Sequence, residues 1–547
     1  MAQASLLSTQ ATLVDTLNLL LGWLEKAIGD VLLRLYNRES SIVLNGARLI
    51  TLSFALLAVF SFIGRDSSPR VDGAPFEGYR SVFEPTFWLR GRFTTGGYSI
   101  IENGYKKFNN IPFVIRRYDT DITILPIKYL DELRLVPKSK LNGKIAQVKN
   151  LVPKWTGIES ILDSDLHANV LNAKLNPNLL KYVDIAHGEL QYGWSIDVPQ
   201  PEAWKLVDIQ QPIRMLVARM SAKVFMGVLA SREEEWLTTS INFTYDLFQT
   251  AFTMRMFPPW LHPIVAIFVA ARWRIRKHLQ VAEKMITGFA QQRDSAIKNG
   301  EEPEDTLLGW MMDNATETER AIPDMAVRQC VLTLASIHTT AMSVSNLLFD
   351  LCTYPEWFSV LRHEIDEVIK VHGKIGESPL NAKLWLAKLE KMDSLIVESQ
   401  RVNPPVLLSP QRIALVPLTL KDGTKIPAGA KVAWASYHHA NDPRTIGRPE
   451  KFDPMRSYRK RHLNNGANAT KFIAGQTDIN SLSFGYGNQS CPGRYFAVSE
   501  IKMILMRLLV EFEFRLPEGK ARPKTMYVDE NVYIDPKAKL IIKRRHN

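Results

Sequence analysis

The chain has 547 residues, 46% of them hydrophobic, and a formal net charge of +12, so it can bury a large core as one large enzyme domain. Its three cysteines, Cys330, Cys352 and Cys491, are scattered without metal-type pairing, which excludes a disulfide framework and a zinc site. The positive charge comes without zinc-finger spacing or an RNA-binding signature, so an anionic lipid or acidic protein fits it and nucleic acid is not an expected partner.

The first forty residues carry a helical stripe of Leu13, Leu17, Leu20, Leu24, Ile28, Val31 and Leu35. It predicts an amphipathic helix within residues 1–41, lying on a membrane surface or packing on the catalytic domain. Leu49 to Ile63 is a run of 15 residues without a charge, short of the roughly 20 that span a bilayer. Extended back to Ile42, with Arg48 reaching for the interface, it predicts a transmembrane signal-anchor over 42–65. Arginines flank both ends, so charge assigns no orientation. A linker rich in Ser, Pro and Gly follows over 66–80, and the globular domain is expected over 81–547. Sequons begin at Asn242, Asn314, Asn468 and Asn488. The last lies in a cysteine loop where a glycan would block any ligand, which argues for a reducing, cytosolic setting.

Short strands are expected at Pro112–Ile115 and Ile122–Leu125, and residues 160–400 read as mostly helical. The longest helix is predicted from Pro323 to about Cys352, roughly 45 Å, with Ser336, His338, Thr339 and Thr340 as a polar interruption. Those hydroxyls can bond back to the preceding turn and do nothing else. A helix over Lys388–Arg401 places Glu398 and Arg401 on one face, a weak signal by itself. After Pro404-Pro405 come strand and turn patterns at Val416–Leu420, Asp422-Gly423 and Val432–Trp434.

Phe484 to Arg494 reads as a glycine-lined loop opening a helix, with Cys491 near its end. Glycines allow close backbone approach to something flat, and a helix N-terminus stabilises a thiolate. Taken alone, the loop fits a cysteinate bound to haem iron or a buried structural cysteine in a turn.

Phe484, Gly487, Cys491, Gly493 and Arg494 match the Phe-x-x-Gly-x-x-x-Cys-x-Gly-Arg signature of the haem-thiolate monooxygenases, the cytochrome P-450 superfamily. Glu398 and Arg401 match its Glu-x-x-Arg helix, and Phe452, Pro454 and Arg456 its Phe-x-Pro-x-Arg segment. The sequence therefore resembles this family over about 70–547, and a mainly α fold with a small β region is implied, preceded by the membrane-anchor helix. The resemblance implies haem b (iron protoporphyrin IX) with Cys491 as axial ligand and Phe484 and Gly487 in its loop. Glu398, Arg401 and Arg456 would form a buried structural network. It also implies NADPH used indirectly through a reductase, an apolar substrate, and an endoplasmic reticulum membrane location, single-pass, with the catalytic domain cytosolic. Ala335 to Thr339 fall on the Ala-Gly-x-acid-Thr pattern, with Thr339 as the oxygen-steadying hydroxyl. Ser336 replaces the usual Gly and His338 the usual acid, and a neutral imidazole can still relay a proton.

Gln489 stands where relatives carry Arg or His, so Arg412 is the candidate cation for the haem carboxylates, beside Gln489 itself, and His167 a weaker one. Leu334, Ile337, Val406, Leu407, Val532 and Tyr533 are positional guesses for the substrate pocket, equally readable as core. Arg459, Lys460, Arg461 and Lys502 are candidates for docking an acidic reductase. The variant motifs are similar to those of fungal secondary-metabolism members, which oxidise terpenoid or indole-diterpenoid skeletons. A steroid or fatty-acid hydroxylase is the alternative within the family, and a haem protein that binds ligand without turnover is the alternative outside catalysis.

Overall fold

A computed structural model describes residues 68–463, 468 and 470–545; the segments expected at 1–41 and 42–65 lie outside them. The helices that position the site are α1 (Thr86–Lys107), α2 (Gly143–Asn150), α3 (Gln210–Met226), α4 (Glu234–Arg255), α5 (His262–Phe268), α6 (Ala270–Lys298), α7 (Ile322–Thr353), α8 (Glu390–Val402) and α9 (Arg494–Glu511). Strands are few and short: β1 (Phe113–Arg116), β2 (Asp121–Ile124), β3 (Leu141–Asn142), β4 (Lys205–Val207), β5 (Gln411–Ala414), β6 (Leu418–Thr419), β7 (Lys425–Ile426), β8 (Lys431–Ala433), β9 (Phe512–Arg515), β10 (Thr525–Val528), β11 (Asn531–Ile534) and β12 (Leu540–Arg544). The fold is mainly α with a small β region, as the sequence predicts.

Helix α7 is the axis of the molecule. Pro323 sits in its first turn, Asp324 complements the helix dipole there, and Arg328 pairs with Asp324 at 2.6 Å. Its apolar stripe packs against α3, α4, α6, α8 and α9, inside a single large core. Among the described residues α7 is also the one helix long and apolar enough to cross a membrane, and 56% of its apolar window is buried, which marks it as a core helix.

The main sheet has strand order β1-β2-β8-β5-β3. β1 and β2 pair as an antiparallel hairpin, β2 meets β8 in parallel, and β5 bridges β8 and β3. Residues expected as a linker pack onto this sheet: Val71 is buried, and the Glu77 amide donates to Val114 at 2.9 Å. Burying Val71 and satisfying these backbone groups outweighs the turn-forming composition that reads as a linker. The antiparallel β10–β11 hairpin stands apart, and its Asp529 turn packs on α1: the Asp529 amide donates to Thr94 at 2.8 Å. A Cβ at Gly97 would come within 2.3 Å of the Asp529 carbonyl, so only glycine fits there.

Candidate active site

The cysteine loop enters α9 directly. Gly485 and Gly487 adopt φ of 74° and 76°, the left-handed region that glycine enters without strain. A Cβ on Gly487 would sit 2.2 Å from the Arg134 carbonyl oxygen. The Cys491 amide closes the loop on the Phe484 carbonyl at 2.8 Å, and Arg494 Nη1 donates to the Cys491 carbonyl at 2.8 Å. Phe484 packs against the main core. Cys491 is exposed although protein crowds around it. Burial pushes its pKa up, opposed by the Gly493 and Arg494 amides and the Arg494 guanidinium. An exposed cysteine at a helix N-terminus, with two amides and a guanidinium that favour its thiolate form, suits a metal ligand better than Cys330, which is wholly buried.

Arg412 lies on β5 and is 6% exposed. Its Nη1 donates to the Gln411 carbonyl at 2.8 Å and its Nη2 to the Tyr486 carbonyl at 3.5 Å. Among the described residues no carboxylate pairs with it, and burial alone pulls its pKa down to about 10. Gln489 is a seam: Oε1 accepts from the Gly143 amide at 2.7 Å, and Nε2 donates to the Leu141 carbonyl at 2.8 Å. A Cβ at Gly143 would meet Arg412 Nη1 at 2.7 Å and Gln489 Oε1 at 3.1 Å. Gly143 is thus a site residue that sequence reasoning missed; Gln489 is 346 residues away, and nothing local flags it. A buried, uncompensated guanidinium that reaches the cysteine loop at Tyr486 fits a flat ligand with carboxylates, as haem has. His167 is less suited, since burial and Arg328 push its pKa down to about 4.

On α7, Ala335 and Thr339 are exposed at the middle of a helix otherwise enclosed by core, four residues apart on one face. Thr339 Oγ1 donates to the Ala335 carbonyl at 2.8 Å, and Ser336 Oγ to the Thr333 carbonyl at 3.3 Å. His338 points to a flank of that open face. Its Nε2 meets the Ile241 carbonyl of α4 at 3.0 Å, and burial pushes its pKa down to about 4.

Glu398, Arg401 and Arg456 come together as expected. Arg401 donates to both carboxylate oxygens at 2.9 and 2.7 Å, Arg456 Nε to Oε1 at 3.2 Å, and the Asp453 amide to the same oxygen at 2.9 Å. Arg456 also holds the carbonyls of Gly447, Arg448 and Lys451 at 2.6, 2.6 and 2.8 Å. The pocket guesses converge in part: the Val532 amide donates to the Pro405 carbonyl at 3.0 Å, which joins the β10–β11 hairpin to the segment carrying Val406 and Leu407. Ile337, Leu407 and Val532 are packed core, whereas Leu334, Val406 and Tyr533 keep some exposure. Lys502 is not a docking residue. It is buried, pairs with Asp393 at 2.6 Å and donates to the Leu386 and Leu389 carbonyls, because its helix face turns into the core.

Comparison with known proteins agrees with this geometry. The family model described as Cytochrome P450 matches residues 137–542. The cytochrome P450 monooxygenase ATR4 of Stachybotrys chlorohalonatus is 50% identical over 90% of this chain and 94% of its own. Cytochrome P450 monooxygenase sdnB of Sordaria araneosa is 39% identical over 93% and 94%. Ent-kaurene oxidase P450-4 of Gibberella fujikuroi is 36% identical over 88% and 94%. The solved structure described as retinoic acid bound cyanobacterial CYP120A1 superposes with a TM-score of 0.63, covering 88% of this chain and all of that one at 18% identity, which shows the fold. With fold, sequence and cysteine loop in accord, the chain belongs to the cytochrome P450 family of haem monooxygenases.

Proposed function

We propose that this monooxygenase oxidises an apolar terpenoid or indole-diterpenoid in fungal secondary metabolism, with electrons from NADPH delivered by a reductase. The observation that carries the site is the accessible Cys491 thiol in a glycine-shaped loop at the N-terminus of α9. The relative named ent-kaurene oxidase supports the substrate class. Haem b, when bound, supplies the iron chemistry that activates dioxygen for insertion into a substrate bond.

The chain's own residues do the rest. Cys491 would hold the iron, with Phe484 and Gly487 keeping the loop flat against the ring. Arg412 would neutralise a haem carboxylate, and Gln489 keeps the loop in register with β3 and α2. Thr339 has a hydroxyl on the open face of α7, resting on the Ala335 carbonyl, from which it can turn to hold a proton at its Oγ1. The buried Glu398–Arg401–Arg456 network fixes α8 and the segment before the loop.

An endoplasmic reticulum membrane site, with the catalytic domain cytosolic, draws support from the expected anchor over 42–65 and from α5. In α5 and the turn before it, Trp260, Ile264, Ile267 and Phe268 are 68%, 57%, 61% and 81% exposed. No acidic residue occurs between Asp246 and Glu283, while Arg272, Arg274, Arg276 and Lys277 follow the helix, a composition suited to a lipid interface.

Expression with a reductase and feeding of terpenoid, steroid and fatty-acid panels, with products identified by mass spectrometry, tests the substrate class; oxidation confined to steroids or fatty acids refutes it. Cys491→Ser is expected to abolish the long-wavelength band of the reduced, CO-bound difference spectrum. Its survival would remove Cys491 from the iron.

A further inference from the structure

We infer that His338 is a positioning residue that ties α4 to α7 and so sets the width of the space beside Thr339, and is not an acid–base group of the reaction. The inference rests on Thr339 marking the reaction face. A carbonyl oxygen only accepts, so the His338 Nε2 facing Ile241 at 3.0 Å carries the proton and donates it. The ring is further held edge-on by Tyr245, at a centroid distance of 4.7 Å and an interplanar angle of 80°. Ile241 and Tyr245 both belong to α4, one turn apart, so the imidazole engages that helix through its edge and its face together.

Helical spacing explains why this matters for the site. Ala335 and Thr339 share the open face of α7, and His338, one residue before Thr339, is rotated by about 100° to its flank. There α4 packs on α7. A proton leaving Nε2 would have to break the bond to Ile241, and the desolvated ring, with Arg214 nearby, resists taking up a second one. Its chemistry at neutral pH is therefore that of a fixed donor. The family pattern carries an acid at this position; here the residue has become a clasp between two helices.

The test compares His338→Gln, whose amide can reach as Nε2 does but cannot relay a proton, with His338→Leu. Three readouts apply: the spectral Kd of 1-phenylimidazole, hydrogen exchange of the amides at 241–247, and peroxide released per NADPH across pH. H338L is expected to raise Kd about fivefold, the scale of one lost hydrogen bond, and to speed exchange, with peroxide yield and its pH profile unchanged. H338Q should match the parent in all three. Raised peroxide yield or a shifted pH profile in H338Q, with Kd and exchange unchanged, would overturn the inference. If H338L does not accumulate, H338Q decides by the same peroxide readout.

Discussion

Glu398→Gln changes the atoms of one side chain very little and removes a single charge. In the parent, the carboxylate accepts four hydrogen bonds: two from Arg401, one from Arg456 and one from the Asp453 amide. The side chains of Glu398, Arg401 and Arg456 are 3%, 7% and 14% exposed, so solvent screens the network little. In the variant, two guanidiniums lose the anion they share, and the new amide N–H groups face a donor wherever they point. Breaking a buried pair from one side costs about 3–5 kcal/mol. At about 2.1 cal/mol/K of unfolding entropy per residue, a domain of this size has about 1 kcal/mol/K, so that cost corresponds to a fall of about 3–5 °C in apparent Tm, read by scanning calorimetry at a fixed scan rate. The double variant E398Q/R401L removes a stranded cation and should recover part of the loss. A Tm within about 1 °C of the parent, about 1 kcal/mol, would refute the view that this network holds α8 to the segment before the cysteine loop.

Arg412→Leu should leave the apoprotein as stable as the parent or more so, since the buried guanidinium has no anion to lose, and should speed haem release about tenfold, the scale of a charge-assisted hydrogen bond. Transfer of haem to an excess of apomyoglobin measures this, and an unchanged rate would place the carboxylates elsewhere. Glu500 on α9 is wholly buried; Ser221 donates to its Oε1 at 3.2 Å, and burial raises its pKa from 4.5 to about 8. Folding therefore takes up a proton at this residue, and its contribution is full below pH 4.5 and lost as pH rises through about 8. Glu500→Gln should flatten the Tm profile between these values and gain about 3 kcal/mol at pH 7; parallel profiles for parent and variant would show that Glu500 does not titrate there.

Local pattern carried much of the fold. The apolar stripe from Pro323 to Cys352 predicts α7 to within a residue or two, and the hairpin β1–β2 falls on the two predicted runs, because helix and strand periodicity are properties of neighbouring residues. β5 was not predicted, and with it the burial of Arg412 was missed: Gln411-Arg412 alternates no apolar face, and its four-residue burial comes from β3 and β8 on either side.

The cysteine loop and the Glu398–Arg401 spacing were determined by sequence alone, since a positive-φ glycine and an i,i+3 pair are set within a few residues. What only the tertiary structure decided is what each polar group meets. Arg456 crosses to Glu398, Gln489 bonds to Leu141 and Gly143, Arg412 meets no carboxylate among the described residues, and His338 turns to α4 instead of the open face of α7. Burial and pairing are relations between distant segments, and they exist only after the chain has closed on itself.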